Sequence, residues 1–345
     1  MRGRSYRTAF LAAVLAYIAY HLLRTDADLV LAHSSRRPDF WTGKVVLVTG
    51  ASSGVGAALS VALASSGAKV ILAARDHNRL HAVQKRCVGP DGTAAETRVM
   101  TMDASEPDEA LNDFAARAVE QFGRLDAFFN NAGKSQRSPA LHTSLAVHEE
   151  LMRVDHFGPV ALTLALLPEL IQRGGSVVTT NSVSGKLGAP LRTSYSAAKH
   201  ASKGFFEALR LDLLNAGTPV QVTNVILGST RTQIASNALT LDSTGQPVQA
   251  GTDKNIATGM DPDRVAAQML ASCENALWEV WVVAPGVEKL ALCTPLPAPV
   301  DHSALQFLTN ACIVARGRCD AVRATADAAA RVTREKARAA GNCGQ

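Results

Sequence analysis

The sequence predicts an α/β protein built on a doubly wound, seven-stranded parallel sheet. Seven short runs of β-branched and apolar residues alternate with helical segments between residues 43 and 284. This alternation is typical of parallel strands with helices on both faces of the sheet. A glycine-rich turn directly follows the first run, where sheets of this class turn from the first strand into the first helix.

Each predicted strand is a short apolar or β-branched run bounded by turn-forming or helical sequence. The predicted strands are residues 45–49, 69–73, 97–102, 125–129, 175–181, 220–227 and 279–283. The spacing of apolar residues between them predicts helices. The predicted helices are residues 57–64, 78–86, 108–122, 149–170, 194–215 and 262–273.

The composition supports one globular domain with two extensions. The chain has 345 residues, of which 47% are hydrophobic and 19% charged, and this composition excludes wholesale disorder. Its six cysteines form no C-x-x-C pair, so nothing supports a disulfide scaffold, a zinc motif or a redox motif. No sequence feature within residues 43–284 marks a second domain.

The net charge of +5 lies at the two ends of the chain. Residues 1–25 and residues 316–345 each carry +4, so the remaining body carries −3. A nucleic-acid-binding protein needs its basic patch on the folded domain. The charge distribution therefore argues against a nucleic-acid partner.

Residues 1–25 predict a membrane anchor or signal segment. Three arginines precede an apolar run from Thr8 to Leu23 that only His21 interrupts. Its sixteen residues would span about 24 Å as a helix, a little less than the ~30 Å hydrocarbon core. An uncleaved signal anchor fits best; a cleaved secretory signal or a mitochondrial presequence are the alternatives. Residues 26–42 are a predicted linker, and residues 285–345 a predicted basic, helical extension.

The turn after the first strand has the form T-G-x-x-x-G-x-G over residues 49–56. Glycines let the backbone approach a pyrophosphate, and the following helix presents free N–H groups to it. Many strand-to-helix turns hold glycine for steric reasons alone, but N-N-A-G at 130–133 after the fourth strand favours a Rossmann-like dinucleotide site. The candidate cofactor residues here are Gly50, Ser52, Ser53, Gly54, Val55, Gly56, Asn130, Ala132 and Gly133.

Arg75 follows the second strand and bears on the choice of cofactor. An acidic residue near this place would bind a ribose 2′-hydroxyl, whereas arginine suits a 2′-phosphate. Neither Ala73 nor Ala74 is acidic. The sequence therefore predicts NADP(H), against the plainer interpretation of a surface arginine paired with Asp76.

Tyr195 and Lys199 are the strongest candidate catalytic pair. Their four-residue spacing places both on one helical face, and Ser182 lies thirteen residues before Tyr195. A phenol has a pKa near 10, and a neighbouring ammonium favours its ionised form. The other three tyrosines of the chain lie within residues 1–20.

Together these motifs make residues 43–284 similar to the short-chain dehydrogenase/reductase family. Within that family, the sequence most resembles the membrane-anchored branch that contains 11β-hydroxysteroid dehydrogenase and related dehydrogenase/reductases. It implies that Tyr195 exchanges a proton with the substrate oxygen, that Lys199 holds the nicotinamide ribose, and that Ser182 hydrogen-bonds the reacting oxygen. It also implies a homodimer formed through helices 149–170 and 194–215.

The resemblance implies further cofactor contacts. Asp103 is expected at the adenine, Asn130 near the adjacent ribose, and Thr230 and Thr232 on the nicotinamide side. One position departs from the family pattern: Asp155 stands where an asparagine is usual. An ionised aspartate accepts hydrogen bonds but cannot donate them. Asp155 is the fourth candidate catalytic residue. It is expected to support the family's water relay less well, or to be harmless if its main-chain carbonyl does the work; the plainer interpretation is a solvated helix acid.

The sequence thus predicts an NADP(H)-dependent oxidoreductase that interconverts a carbonyl and a secondary alcohol. A small lipophilic substrate fits a membrane-held enzyme, most simply in the endoplasmic reticulum, with mitochondria as the alternative. Residues 235–260 are predicted as a substrate-covering loop, although they are more polar than a steroid site suggests. The rival hypotheses are a 3-ketosphinganine-type reductase and a catalytically weak NADP-binding sensor or scaffold.

Overall fold

The computed structural model describes residues 37–234, 237–241, 247–248 and 258–283. Within them lies one seven-stranded sheet in which every neighbouring pair is parallel; in spatial order its strands begin at Thr97, Lys69, Val45, Ala127, Ser176, Gln221 and Glu279. The predicted doubly wound, Rossmann-like α/β class is therefore confirmed. The predicted anchor (1–25), most of the linker and the extension (285–345) lie outside the described residues.

The strands and helices alternate along the chain as predicted. The strands are β1 Val45–Thr49, β2 Lys69–Ala74, β3 Thr97–Thr101, β4 Ala127–Asn130, β5 Ser176–Ser182, β6 Gln221–Leu227, β7 Thr240–Leu241, β8 Pro247–Val248 and β9 Glu279–Val282. The α-helices are α1 Gly54–Ser65, α2 His77–Gln84, α3 Asp108–Glu120, α4 Leu145–Met152, α5 Gly158–Arg173, α6 Thr193–Asn215 and α7 Pro262–Glu274.

The central strands are apolar on both faces because helices cover both. In β1, Val46 and Val48 pack into a cluster with α1, α2 and α7, whereas Val45 and Leu47 pack into a second cluster with α3, α5 and α6. Successive side chains of a strand point to opposite faces. A strand buried on both sides therefore has a continuous apolar sequence rather than an alternating one.

The predicted helix 149–170 is in fact two helices joined by a wider turn. It begins earlier, at Leu145, and Arg153–Phe157 form a π-helical segment between α4 and α5. Such segments insert one extra residue into the helix and occur often at functional sites. Helical periodicity alone does not reveal an insertion of this kind, and here the segment contains Asp155.

Two other sequence expectations are refined. The described part of the predicted loop 235–260 contains the short antiparallel pair β7 and β8. Trp41, placed in the linker by the sequence, is fully buried and donates a hydrogen bond from Nε1 to Glu274 Oε1 (3.0 Å). The folded region therefore includes the last residues of the segment 26–42.

One helical stretch within the described residues is long and apolar enough to cross a membrane. It runs from Leu145 to Arg173 with a mean hydropathy of 1.3. Leu151, Leu162, Leu166 and Leu170 of this stretch are buried in the domain, so packing against the sheet and its neighbouring helices accounts for its apolar character.

Candidate active site

The candidate site lies at the carboxyl edge of the sheet, at the ends of the neighbouring strands β1 and β4. In the order β3-β2-β1-β4-β5-β6-β9, the chain adds β2 and β3 on one side of β1 and the later strands on the other side. The boundary between β1 and β4 is therefore a topological switch point, where open α/β sheets bind ligands. Thr49 Oγ1 accepts hydrogen bonds from the N–H groups of Asn131 (3.0 Å) and Ala132 (3.1 Å) across this point. The two loops are thereby fixed to each other.

The glycine turn leaves no room for larger residues at two positions. A Cβ atom on Gly56 would lie 2.3 Å from Gly50 O, and Gly50 itself has φ +66° with Ala132 Cα 2.9 Å from the place of its Cβ. These glycines allow the turn to lie flat against the 130–133 loop. Asn131 completes the junction, because its Nδ2 donates to Thr49 O (3.0 Å).

The N-terminus of α1 is open to a ligand. Ser53 precedes the helix with extended backbone angles, and its side chain accepts no hydrogen bond from the first turn. Ser52, Ser53 and Gly54 line a cavity of about 530 Å³, which Thr232 borders from the segment after β6. Free N–H groups at a helix N-terminus that face a cavity suit an anionic group such as a pyrophosphate.

Arg75 and Asp103 lie next to each other at the carboxyl ends of β2 and β3. The guanidinium of Arg75 is 3.7 Å from Asp103 Oδ2, and its side chain is 69% exposed. Asp103 also accepts hydrogen bonds from the N–H and hydroxyl of Ser105. Burial opposes ionisation of Asp103, but these hydrogen bonds and Arg75 outweigh it and lower the pKa of Asp103 below its ordinary value.

Tyr195, Lys199 and Ser182 come together at the same edge. Tyr195 and Lys199 are both buried near the start of α6, with Lys199 Nζ 5.8 Å from the centre of the Tyr195 ring. Ser182 is the last residue of β5, and its Oγ accepts a hydrogen bond from Ser184 N (3.1 Å). That bond uses an acceptor site of the hydroxyl and leaves its hydrogen available for a substrate oxygen.

Lys199 is held from two sides. Its Nζ donates to Thr180 O (3.3 Å) and lies 3.3 Å from Asp155 Oδ1. The ammonium group has three N–H donors, so one remains beyond these two contacts. Gly133 borders the pair: a Cβ atom there would lie 2.7 Å from Asp155 Oδ1, which explains why this position is glycine.

Asp155 contacts the site through both its side chain and its main chain. Its Oδ1 accepts from Lys134 N (3.1 Å), and its carbonyl oxygen accepts from Ser202 Oγ (2.7 Å) on α6. Its Oδ2 is buried without a hydrogen-bond partner. The π-helical segment thus gives Asp155 two contacts with α6, one through its side chain to Lys199 and one through its main chain to Ser202. Asp155 is buried and is therefore not a solvated helix acid, while its part in a relay stays a prediction.

Burial and charge act in opposite directions on this buried pair. Burial raises the pKa of Asp155, while the ammonium of Lys199 and the N–H of Lys134 partly oppose that rise. Burial by itself lowers the pKa of Lys199, but the interactions with Asp155 and Tyr195 together outweigh it, and the net pKa of Lys199 is raised.

Gln136 is a buried residue of the site that the sequence did not single out for a role. Its Oε1 accepts from Ser194 N (3.2 Å) in the first turn of α6, and its Nε2 donates to Ser138 Oγ (2.9 Å) and Thr143 Oγ1 (3.0 Å). It satisfies an N–H that the first turn of a helix leaves unpaired. The only sequence signal for this contact was the position of Gln136 shortly after the N-N-A-G motif at 130–133.

Leu239 also approaches the site from a distant part of the chain. Its backbone pairs with Ser135 and Arg137, and its side chain packs against the buried cluster of Leu151, Tyr195 and Ala198. The described part of the predicted substrate loop therefore contributes an apolar contact beside the tyrosine. No motif or periodicity in the neighbouring sequence indicated that Leu239 would lie beside Tyr195.

The remaining predicted residues lie around this edge with different degrees of exposure. Thr232 contacts the glycine turn, since its Cγ2 lies 2.9 Å from the place of a Cβ on Gly54. Thr230 is buried and donates to Gly228 O (3.2 Å). Asn130 is buried at the end of β4, with only 4% of its surface exposed. Its predicted ribose contact stays a prediction, and Asn131 makes the junction with β1.

No metal-binding group was predicted in the active site. Within residues 37–234, 237–241, 247–248 and 258–283, no three histidine, cysteine, aspartate or glutamate side chains lie together as a candidate metal cluster.

Known proteins provide an independent comparison. The model of the short chain dehydrogenase family matches residues 44–241. The human protein "Dehydrogenase/reductase SDR family member 7" is 37% identical over 267 residues, which cover 75% of this chain and 77% of that protein. The match to the Drosophila melanogaster "Dehydrogenase/reductase SDR family protein 7-like" is 38% identical and covers 66% of this chain and 69% of that protein.

A solved structure also matches. Levodione reductase is 26% identical with a TM-score of 0.61, over 72% of this chain and 99% of that chain. The family match covers more than half of the sequence and includes the glycine turn, Ser182, Tyr195 and Lys199. The chain belongs to the short-chain dehydrogenase/reductase family of oxidoreductases, in its dehydrogenase/reductase-type branch.

Proposed function

We propose that the protein is an NADP(H)-dependent oxidoreductase that interconverts a carbonyl group and a secondary alcohol on a lipophilic substrate. The observation that carries the proposal is that the buried Lys199, whose pKa is raised, lies beside Tyr195 at the same edge of the sheet as Ser182. A buried cation beside a phenol favours negative charge on the phenol oxygen. That arrangement suits a group that exchanges a proton with a substrate oxygen.

Tyr195, Ser182 and Lys199 each have a separate proposed role in the reaction. When bound, the nicotinamide supplies or accepts the hydride. Tyr195 gives its hydroxyl proton to the carbonyl oxygen in reduction and takes it from the alcohol in oxidation, and Ser182 donates a hydrogen bond to the same oxygen. Lys199 is held by Thr180 and Asp155, and we propose that its remaining N–H binds the cofactor ribose.

The proposed reaction is tested with the purified full-length protein. NADPH and a panel of lipophilic ketones and aldehydes are mixed with it, and cofactor oxidation is followed by absorbance at 340 nm. Consumption of NADPH with formation of the matching alcohol supports the proposal. Tight NADPH binding with no turnover across the panel would instead favour the sensor or scaffold hypothesis, for which Asp155 is the one supporting feature.

The preference for NADP(H) is carried by Arg75. Its guanidinium is exposed beside Asp103, and neither Ala73 nor Ala74 offers a carboxylate to a ribose hydroxyl. We expect Arg75→Ala to lower kcat/KM for NADPH about 10–100-fold, the value of a charge-assisted hydrogen bond. We expect kcat/KM for NADH to stay unchanged. Lys85→Ala, which removes an exposed cation just after α2, is the matched control; an equal loss with both cofactors would contradict a role at the 2′-phosphate.

Asp155 is proposed to position Lys199 without being needed as an acid. In Asp155→Asn the amide oxygen can still accept from Lys134 N, and the main-chain contact with Ser202 is untouched. We expect turnover to be preserved or raised, with the midpoint of the pH–rate profile moved to lower pH. The reason is that the ammonium of Lys199 then acts on the phenol oxygen without an opposing carboxylate.

Asp126→Asn is the control for this change. Asp126 is a buried acid at the opposite edge of the sheet, where it accepts from Val45 N and pairs with Arg124. We expect that variant to leave the pH–rate profile unchanged. A large loss of turnover in Asp155→Asn alone would overturn the view that the carboxylate is replaceable.

Location and assembly complete the proposal. The predicted anchor within residues 1–25 supports a membrane-held enzyme, placed most simply at the endoplasmic reticulum, with mitochondria as the alternative. Exposed apolar side chains on the two long helices, among them Leu164 on α5 and Leu211 and Leu214 on α6, support the proposed homodimer. Protease protection of vesicles that contain the protein tests the anchor, and size-exclusion chromatography with light scattering tests the dimer.

A further inference from the structure

Two histidines on the outer face of α2 bring their ring nitrogens together. His77 and His81 are one helical turn apart and both are exposed. Their Nε2 atoms lie 3.0 Å apart, and the ring planes are nearly perpendicular, at 86°. The opposite face of the helix, with Leu80 and Val83, is buried in the core. The core therefore fixes the helix beneath the histidine pair.

Hydrogen bonds through Gln84 determine which ring nitrogen of His81 carries the proton. Gln84 donates from Nε2 to Thr97 O and Thr97 Oγ1 on β3, so its Oε1 has to be the atom that faces His81. That oxygen accepts from His81 Nδ1 at 2.8 Å. Nδ1 is then the protonated nitrogen, and the lone pair of Nε2 accepts a hydrogen bond from His77 Nε2. Metal-bound histidines in proteins are oriented by this kind of second hydrogen bond.

The distance between the two nitrogens is close to the spacing of two ligands of one ion. With metal–nitrogen bonds of about 2.05 Å, nitrogens 3.0 Å apart subtend about 94° at a shared ion, as neighbouring positions of a square-planar or octahedral ion require. A tetrahedral ion needs about 3.35 Å, which a small rotation of the two exposed rings would also provide. Imidazole nitrogens in a square-planar setting suit Cu²⁺ and Ni²⁺.

We propose that His77 and His81 form a binding site for a divalent first-row transition metal ion, with Cu²⁺ and Ni²⁺ favoured over Zn²⁺. Water completes the coordination sphere. When the ion binds, a neutral His77 moves its ring proton from Nε2 to Nδ1, and a protonated His77 releases one proton to solvent. The site lies on α2 and is independent of the proposed oxidoreductase activity.

The proposal is tested by calorimetric titration of the full-length protein, expressed without a histidine tag, with Cu²⁺, Ni²⁺ and Zn²⁺. We expect a saturable event in the wild type that is absent from His77→Ala and from His81→Ala at the concentration that saturates the wild type. His148→Ala, on α4, is the matched control and should keep that event. Gln84→Ala should weaken binding about 10–100-fold, as loss of an orienting hydrogen bond does.

Two further measurements separate a defined site from general binding. The Cu²⁺ electron paramagnetic resonance spectrum should show two coordinated imidazole nitrogens that are lost in either histidine variant. The melting temperature should rise with Cu²⁺ in the wild type only, because an ion that binds the folded state stabilises it. Indistinguishable titrations of wild type and both histidine variants, or a spectrum without imidazole nitrogen, would overturn the proposal.

Discussion

Replacement of Tyr195 by phenylalanine is expected to lower kcat about 10²–10⁴-fold, which is the usual contribution of a positioned acid–base group. The ring fills the same buried volume beside Lys199 and Leu151, so the fold and cofactor binding are kept. Only the hydroxyl that would exchange a proton with the substrate oxygen is removed. Steady-state rates with NADPH and the best substrate of the carbonyl panel measure the effect, and fluorescence titration of NADPH checks binding.

The chain provides a matched control for this change. Tyr20→Phe removes the same hydroxyl from a tyrosine of the N-terminal segment, outside the catalytic domain, and should leave kcat unchanged. A Tyr195→Phe protein that retains wild-type kcat would contradict the assignment of Tyr195 as the proton-exchanging group. An inactive protein that also fails to bind NADPH would point to misfolding, which circular dichroism distinguishes.

Replacement of Lys199 by methionine is expected to reduce both activity and stability. The ammonium is buried against the Asp155 carboxylate, and removal of one partner from a buried pair typically costs about 3–5 kcal/mol. The free energy of unfolding, measured by chemical denaturation near neutral pH, should fall by this amount. Lys203→Met, one helical turn further along α6, should cost less. Its partner Glu207 is partly exposed to water, and its other partner, Glu279, keeps Lys186 as a second cation.

The stability loss in Lys199→Met should depend on pH in a defined direction. Burial raises the pKa of Asp155, and without Lys199 its strongest opposing charge is gone. Between the ordinary carboxyl pKa of about 3.9 and the raised value in the folded state, the unfolded chain has released the proton that the folded chain retains. Because this pKa is raised in both folded proteins and is higher in the variant, the loss relative to wild type should grow as pH rises through the interval between the two folded-state values and shrink as pH falls below it.

A double variant separates stability from catalysis. Lys199→Met combined with Asp155→Leu removes both charges, and apolar replacement of a buried ion pair is often neutral for stability. We expect most of the lost unfolding free energy to return while turnover stays absent. If stability does not return, the loss in the single variant has another origin than the unpaired carboxylate.

Much of the site could be predicted from the sequence because its signals are local. The strands β1 and β5 are short apolar runs, the turn 49–56 needs its glycines for steric reasons, and Tyr195 and Lys199 are four residues apart on one helix. Strand and helix periodicities are properties of consecutive residues. These features are readable without knowing which elements pack together.

Other features of the site depend on contacts between distant parts of the chain. Asp155 approaches Lys199 only because a π-helical segment lies against α6, and Gln136 reaches the first turn of α6 across 58 residues of sequence. The helical pattern through 149–170 gave no sign of the inserted residue, and a glutamine after a turn has no periodicity to mark its burial.

The sequence by itself determined the parallel α/β class, the glycine turn and the pairing of Tyr195 with Lys199. The tertiary structure alone decided what holds Lys199 in place and which backbone groups stabilise the catalytic helix. The physical reason is that helix and strand formation depends on neighbours along the chain, whereas burial and charge pairing depend on how the helices dock onto the sheet. Docking is decided by the shape of the whole core, which no single stretch of sequence contains.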